Sequence, residues 1–293
     1  MNPGPSTTSA PPGHRATHPW MRTLLGAFAV LTALATGALF VLAENTEETF
    51  AWTIEPPLTA AFIGAGYAAG FVLVVLSLRD PVWAHNRVPV LTIFLFVVLT
   101  LLATLLHLDR MHFDDDFSGL DPLAKGAAWF WLAVYIVIPV AMAVLLVHQE
   151  RVPGEDPAPR HPVPVVLRVA LALESAVLLV VGALIFTDPA TAAWVWPWDM
   201  PPFTARVVAA WLLAFGLATA LAALGGDLRR LRSAAIAYMV FGVLVLVAVA
   251  RFPETLEWDA APAWIFVGSA VAVVLTGAAG WRAAPPAAVG RHG

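Results

Sequence analysis

Long apolar runs separated by short polar segments are the dominant pattern of this chain. A helix needs about 20 apolar residues to cross a hydrocarbon core of about 30 Å, and eight stretches have that length. They are residues 20–43, 57–78, 88–107, 124–147, 163–186, 202–224, 233–250 and 261–281. Because the runs are continuous and do not alternate, they predict helices and not a β-barrel. We therefore predict an all-α, polytopic transmembrane helix bundle with eight spans.

The composition agrees with a membrane protein. Hydrophobic residues make up 60% of the 293 residues, charged residues only 12%, and the mean hydropathy is +0.79. Soluble domains carry about 25% charged residues. The chain contains no cysteine, which excludes disulfides, thiolate metal sites and cysteine nucleophiles.

Basic residues are concentrated on one side of the predicted membrane. If the N-terminus is cytoplasmic, twelve of the sixteen basic residues lie inside and fourteen of the twenty acidic residues lie outside. Cytoplasmic loops carry this excess of Arg and Lys. The sequence thus predicts a multi-pass protein of a bacterial cytoplasmic (inner) membrane, with both termini in the cytoplasm.

Polar segments divide the chain further. The N-terminal segment is rich in Pro, Ser, Thr and Gly, a composition typical of disorder. The first apolar run is longer than that of a signal peptide and predicts an uncleaved helix. The predicted regions are a disordered cytoplasmic tail (1–19), a first four-helix half (20–149), a cytoplasmic linker (150–162), a second four-helix half (163–281) and a cytoplasmic tail (282–293).

Two segments repeat one motif. FAWTIEPPLTAA at 50–61 matches WVWPWDMPPFTAR at 194–206 in a Trp, an acid, Pro-Pro, a large apolar residue and Thr-Ala. The matched residues, at a constant offset of 145, are Pro57, Thr59 and Ala60 in the first half and Pro202, Thr204 and Ala205 in the second. This internal repeat predicts two tandem halves of like orientation. Transporters often bind ligands between such halves, but a duplication without transport is the alternative.

The segments FAWTIEPPLTAAFIGAGY and HLDRMHF resemble parts of uncharacterised multi-pass integral membrane proteins of actinobacteria. The resemblance extends over most of the chain and implies a membrane protein without implying a known activity.

Glu174 is an acid within a predicted span. It lies nine residues from Val165, about 14 Å along the helix and close to the bilayer midplane. Acids at this depth usually face the bundle interior and mark proton relays or substrate sites. Tyr67 and Tyr135 lie at similar depth in two other spans, which predicts a polar cluster of the three. The alternative is that Glu174 bonds to a backbone carbonyl or a Thr and fixes helix packing.

Three arginines lie at the outer ends of predicted spans. Arg110, Arg206 and Arg251 are candidates for a basic funnel that receives an anionic headgroup or substrate. The alternative is local pairing with neighbours such as Asp109 or Glu254.

His107, Asp109 and His112 end the third span and are weak candidates for metal ligands, with Asp114, Asp115 and Asp116 nearby. The spacing matches neither the zincin helix nor the EF-hand loop. A solvated helix end is the competing interpretation, and we predict no metal and no cofactor.

Eight of the twelve tryptophans fall at the outer boundary. They fit an aromatic belt at the interface, or a lid over a site for an apolar ligand.

Several functional classes lack their motifs. The chain has no Walker A loop, no GxSxG and no HExxH, and its basic loops are too short to indicate nucleic-acid binding. We therefore predict a protein of the lipid bilayer that binds or transports a small apolar or amphiphilic molecule. The alternatives are a membrane-embedded enzyme acting on a lipid or isoprenoid, with Glu174 as general acid, and a structural or partner-binding protein without a small ligand.

Overall fold

The computed structural model describes residues 10, 12–113, 122–225 and 227–284. Within these ranges it contains helices and no β-strand. The α-helices are α1 (Pro19–Thr36), α2 (Thr46–Thr49), α3 (Pro57–Arg79), α4 (Trp83–Leu105), α5 (Pro122–Glu150), α6 (Val165–Thr187), α7 (Ala192–Val195), α8 (Pro202–Gly225), α9 (Leu228–Arg251) and α10 (Ala261–Ala283).

Eight of these helices are long and apolar enough to cross a membrane; α2 and α7 are single turns. The predicted all-α transmembrane bundle of eight spans is therefore confirmed. Following the predicted orientation, we call the end of the bundle at which α1 begins the inner end and the opposite end the outer end.

Two helices begin five residues earlier than predicted. α4 begins at Trp83, five residues before the predicted boundary, and α9 begins at Leu228. Their first turns contain charged residues, which the hydrophobic pattern excludes from a span but which a helix tolerates beyond the hydrocarbon. The Asp227 carboxylate accepts the backbone N–H of Arg229 at 2.8 Å and so caps α9.

The helices α3 and α8 lie at the centre of the bundle. Over half of the apolar span of each is buried, whereas only about a fifth of the span is buried in α1, α6 and α10. α3 packs against α1 and α9, and α8 packs against α6 and α4. Both central helices begin at the second Pro of a Pro-Pro pair, where a missing N–H costs no helical hydrogen bond.

Close packing at the centre depends on small residues of α3. A Cβ on Gly64 would lie 2.5 Å from the backbone nitrogen of Phe40, in the π-helical turn Gly37–Val41 that ends the first span. A Cβ on Gly66 would lie 2.9 Å from the Trp211 ring of α8. Small residues at these positions therefore let the α3 backbone approach its neighbours closely.

Residues 12–18 are hydrogen-bonded to the inner loops. The Arg15 N–H donates to the Glu155 carbonyl at 3.0 Å, and the Trp83 N–H donates to the Arg15 carbonyl at 2.9 Å. Gln149, which is fully buried, donates to the Ala16 carbonyl at 2.9 Å. The predicted disorder over residues 1–19 is therefore wrong for residues 12–19; most of the earlier residues lie outside the described ranges.

Candidate functional site: a membrane-embedded cavity

The helices α4 and α5 are held apart, whereas the helices α9 and α10 are packed closely. On α9 and α10, Gly242 and Gly277 bring the backbones together: a Cβ on Gly277 would lie 2.7 Å from the Met239 nitrogen. On α4 and α5 the rings of Phe96 and Tyr135 fill the corresponding space. As a result α5 meets α4 loosely and touches α1 at only a few points.

A cavity of about 570 Å³ occupies the space that this arrangement leaves between α1, α3, α4 and α5. Its wall is almost entirely apolar. It runs from Thr49 and Phe50 at the outer end to Phe215 and Ala237 deeper in the bundle. Leu34 of α1 and Phe130 of α5 line it and are exposed. The cavity is therefore open between α1 and α5, on the surface that faces lipid in a membrane.

Two buried tyrosines form a polar pair in the wall, which also contains Thr32, Thr49 and Thr92. The hydroxyls of Tyr67 on α3 and Tyr135 on α5 lie 2.6 Å apart and share a hydrogen bond. The Trp131 ring packs on Tyr135 at 4.3 Å between centroids, and its N–H donates to Thr104 at 3.1 Å. The structure thus brings Tyr67 and Tyr135 together, as their matched depth predicts.

Glu174 does not join them. Thr276 of α10 donates a hydrogen bond to Glu174 Oε1 at 2.6 Å. α6 packs on α8 and α10, on the other side of the bundle from α5. The predicted cluster of Glu174 with Tyr67 and Tyr135 is therefore wrong, and the alternative of a bond to a Thr is observed. Glu174 Oε2 is buried without a hydrogen-bond partner among the described residues.

The three arginines at the outer ends have separate partners. Arg206 donates to His107 Nε2 at 2.6 Å and to the Phe186 carbonyl at 3.0 Å. Arg251 donates to the Phe40 carbonyl and not to Glu254. Arg110 forms an exposed ion pair with Asp109, as the local-pairing alternative predicts. The proposed funnel is not assembled, because these guanidiniums satisfy backbone carbonyls and close neighbours.

The candidate metal ligands also point to different partners. His107 Nε2 accepts a hydrogen bond from Arg206, which leaves that nitrogen unable to bind a metal. His112 Nδ1 donates to the Phe50 carbonyl at 3.0 Å, and Nε2 accepts from Thr53 at 3.1 Å. Across the described residues no group of three His, Asp or Glu side chains is placed to hold a metal ion; Asp114, Asp115 and Asp116 lie outside them.

The repeated motif forms a reciprocal cap over the outer end of the bundle. Trp52 Nε1 donates to Thr204 Oγ1 at 3.2 Å, and Trp198 Nε1 donates to Thr59 Oγ1 at 2.7 Å. Each tryptophan therefore reaches the threonine of the other copy. Alignment of the two copies pairs Trp52 with Trp196, so it does not show that each copy's Trp bonds to the Thr of the other copy. The Thr that both copies contain was the sequence feature that could have pointed to these bonds.

Three aromatic residues at the deep end of the cavity were not singled out from the sequence. Trp211 packs on Phe96 at 4.0 Å and on Tyr67 at 5.2 Å between ring centroids, and Phe215 continues this row at 5.5 Å from Trp211. For Trp211 and Phe215 the available signal was a large ring in the middle of the Ala-rich span α8; Phe96 lies among other large apolar residues of α4 and has no such signal.

The folded protein should become less stable as the pH falls, because the fold favours the neutral form of two histidines. Burial lowers the pKa of His107, with help from the charge of Arg206, and burial also lowers the pKa of His112. An unfolded histidine takes up its proton near pH 6.5. As the pH falls below this value, the unfolded state binds more protons than the folded state does, and the free energy of unfolding decreases. The decrease ends when the pH is below the pKa values of these histidines in the folded state.

We expect the melting temperature in detergent to be constant above about pH 7.5 and to fall between about pH 6.5 and 5. A double change of His107→Gln and His112→Gln should flatten this profile. An unchanged slope in the double variant would contradict the assignment.

A scan against protein-family models and searches of curated proteins and of solved structures found no match. The choice of a function therefore depends on the geometry of the cavity and its surroundings.

Proposed function

We propose that this membrane protein binds one small apolar or amphiphilic molecule in the cavity between α1, α3, α4 and α5. The observation that carries the proposal is the cavity itself, with about 570 Å³ of apolar space and a hydrogen-bonded phenol pair in its wall. Pockets for small molecules typically measure 300–1,000 Å³, with a few placed polar groups that orient the ligand.

The volume and the chemistry of the wall indicate the ligand class. A water molecule takes about 30 Å³ in the liquid; if a methylene group takes a similar share, the cavity holds a chain of about 15 to 20 carbons. The pair formed by Tyr67 and Tyr135 uses one of its two O–H groups internally. Thr100 is a further hydrogen-bond neighbour of Tyr135. The other O–H of the pair, and the remaining oxygen lone pairs, offer hydrogen bonds to a hydroxyl or carbonyl group of the ligand.

The ligand enters from the lipid. Leu34 is 62% exposed and Phe130 is 55% exposed although both line the cavity. A single chain in the bilayer can therefore pass between α1 and α5 without crossing a polar barrier.

The enzyme alternative receives less support. Glu174, its proposed general acid, is bonded to Thr276 and is not among the residues that line the cavity. A general acid must come within hydrogen-bond reach of the group that it protonates. A ligand in this cavity does not meet that condition.

We also infer that the chain consists of two tandem four-helix halves. α1 packs on α3 as α6 packs on α8, and α3 contacts α9 as α8 contacts α4. The reciprocal bonds of the outer cap support the same relation. The basic inner loops support the proposal of a bacterial inner-membrane protein with its N-terminus in the cytoplasm.

Binding can be tested with a dansyl-labelled undecanoic acid added to purified protein in detergent, read by energy transfer from tryptophan. We expect saturable binding that unlabelled fatty alcohol displaces. Tyr67→Phe and Tyr135→Phe should each weaken binding about five- to tenfold, the equivalent of one lost hydrogen bond.

Ser269→Ala is the control, because it removes an exposed hydroxyl of α10 that lines neither this cavity nor the neighbouring one. Equal effects of all three changes, or an absence of saturable binding, would overturn the proposal.

A further inference from the structure

A second cavity adjoins the first. It has a volume of about 80 Å³ and lies between α3, α4, α6, α8, α9 and α10. Leu73, Thr92, Phe215 and Ala237 line both cavities. A wall only one side chain thick therefore separates them, and Phe215 is its one aromatic member.

Each cavity has its own hydroxyl group beside the wall. Tyr67 and Tyr135 line the large cavity, and Tyr238 and Thr276 line the small one. A row of rings connects the two sites: Tyr67 to Trp211 at 5.2 Å, Trp211 to Phe215 at 5.5 Å, and Phe215 to Tyr238 at 6.0 Å between centroids.

The small cavity has a polar wall at Tyr238. The Tyr238 hydroxyl lies beside the Glu174 carboxylate, but neither this hydroxyl nor Glu174 Oε2 has a partner at normal hydrogen-bond distance among the residues that the structure describes. A buried hydroxyl with incomplete hydrogen bonding gains from a further partner, so a guest with a polar group is favoured here. The volume suits a few water molecules or the polar end of a larger ligand.

The two cavities together extend along most of the bundle. The large one begins near Thr49 at the outer end, and the small one reaches Leu231 and Gly280, which lie towards the inner ends of α9 and α10. Between these limits the wall at Phe215 interrupts the apolar path.

We propose that the two cavities form one route along which a single-chain amphiphile moves between the outer and inner ends of the bundle, with the Phe215 ring as its gate. Rotation of the ring joins the cavities. The polar end of the ligand then exchanges the hydroxyls of Tyr67 and Tyr135 for those of Tyr238 and Thr276. This inference rests on the proposed function and adds a direction of movement to it.

The route can be tested with hexadecanol that carries a diazirine next to its hydroxyl group, because the polar end is the part that enters the small cavity. The full-length protein in detergent is irradiated with the probe, and the labelled residues are mapped by peptide mass spectrometry. In the wild type we expect strong labelling of large-cavity residues such as Ile93 and Val97, and weaker labelling of small-cavity residues such as Leu171 and Leu231.

Changes at Phe215 should alter only the second set. Phe215→Ala should raise labelling of Leu171 and Leu231 about tenfold, and Phe215→Trp should lower it to a similar extent, the equivalent of about 1.4 kcal/mol at the gate. Labelling of Ile93 and Val97 should not change. Phe266→Ala, which removes a ring that packs on Trp196 and Trp198 away from both cavities, is the matched control.

The outcomes separate the two proposals. If Ile93 and Val97 are not labelled in the wild type, both the proposed function and the route are wrong. If they are labelled but Leu171 and Leu231 are not, or if labelling of Leu171 and Leu231 is insensitive to Phe215→Ala and Phe215→Trp, the route is wrong and the binding function stands.

Discussion

Replacement of Gly64 by valine is expected to destabilise the bundle by about 3 kcal/mol or more. The α3 backbone at Gly64 lies against the π-helical turn of the first span, where a Cβ would approach the Phe40 nitrogen to 2.5 Å and the Leu39 carbonyl carbon to 2.8 Å. These are backbone atoms, which cannot rotate away as the end of a side chain does. The two helices must therefore separate, and Leu39, which is fully buried, must leave its packing.

The effect can be measured as the melting temperature and the monodisperse fraction of the purified protein in detergent. Gly26→Val is the control, because nothing lies within 4 Å of a Cβ at that position of α1. Similar melting temperatures for the two variants would show that the close approach of α3 to the π-helical turn is not required.

Replacement of Ala35 by tryptophan is expected to weaken ligand binding by more than about a hundredfold, the equivalent of about 2.8 kcal/mol. Ala35 lines the large cavity from α1, so an indole at this position occupies the space of the ligand. Because the space is already empty of protein, the larger side chain should not strain the bundle as overpacking of a filled core does.

Ala33→Trp provides the control on the same helix. Ala33 is exposed and does not line the cavity, so a tryptophan there should face lipid and leave the affinity for the dansyl probe unchanged. Equal affinity in the wild type and in the Ala35→Trp variant would place the bound molecule outside this cavity.

The spans were predictable because the thickness of the bilayer sets a helix length that can be counted along the chain. The ends were less predictable. The first turns of α4 and α9 contain Arg87 and Arg229, and a helix continues through such residues once it has left the hydrocarbon.

The depth of a side chain in the bilayer was also predictable from the sequence. The residues that it contacts on other helices were only partly predictable. Counting along the spans places Tyr67 and Tyr135 at one depth, and their hydroxyls are in contact. The same count places Glu174 at that depth, yet it bonds to Thr276 on another helix. A helix that is apolar on every side does not show from its sequence which face turns inward.

The cavity itself was beyond sequence reasoning. It depends on the difference between the loose packing of α5 on α4 and the close packing of α10 on α9. This difference arises from contacts between distant residues, such as Gly277 against the backbone of Met239.

Native mass spectrometry of the protein released from mild detergent tests the central claim most directly. We predict one bound single-chain amphiphile per wild-type chain, and its absence from the Ala35→Trp variant but not from the Ala33→Trp variant. A wild-type chain without any bound amphiphile, or equal retention by both variants, would contradict the claim that this cavity is a binding site.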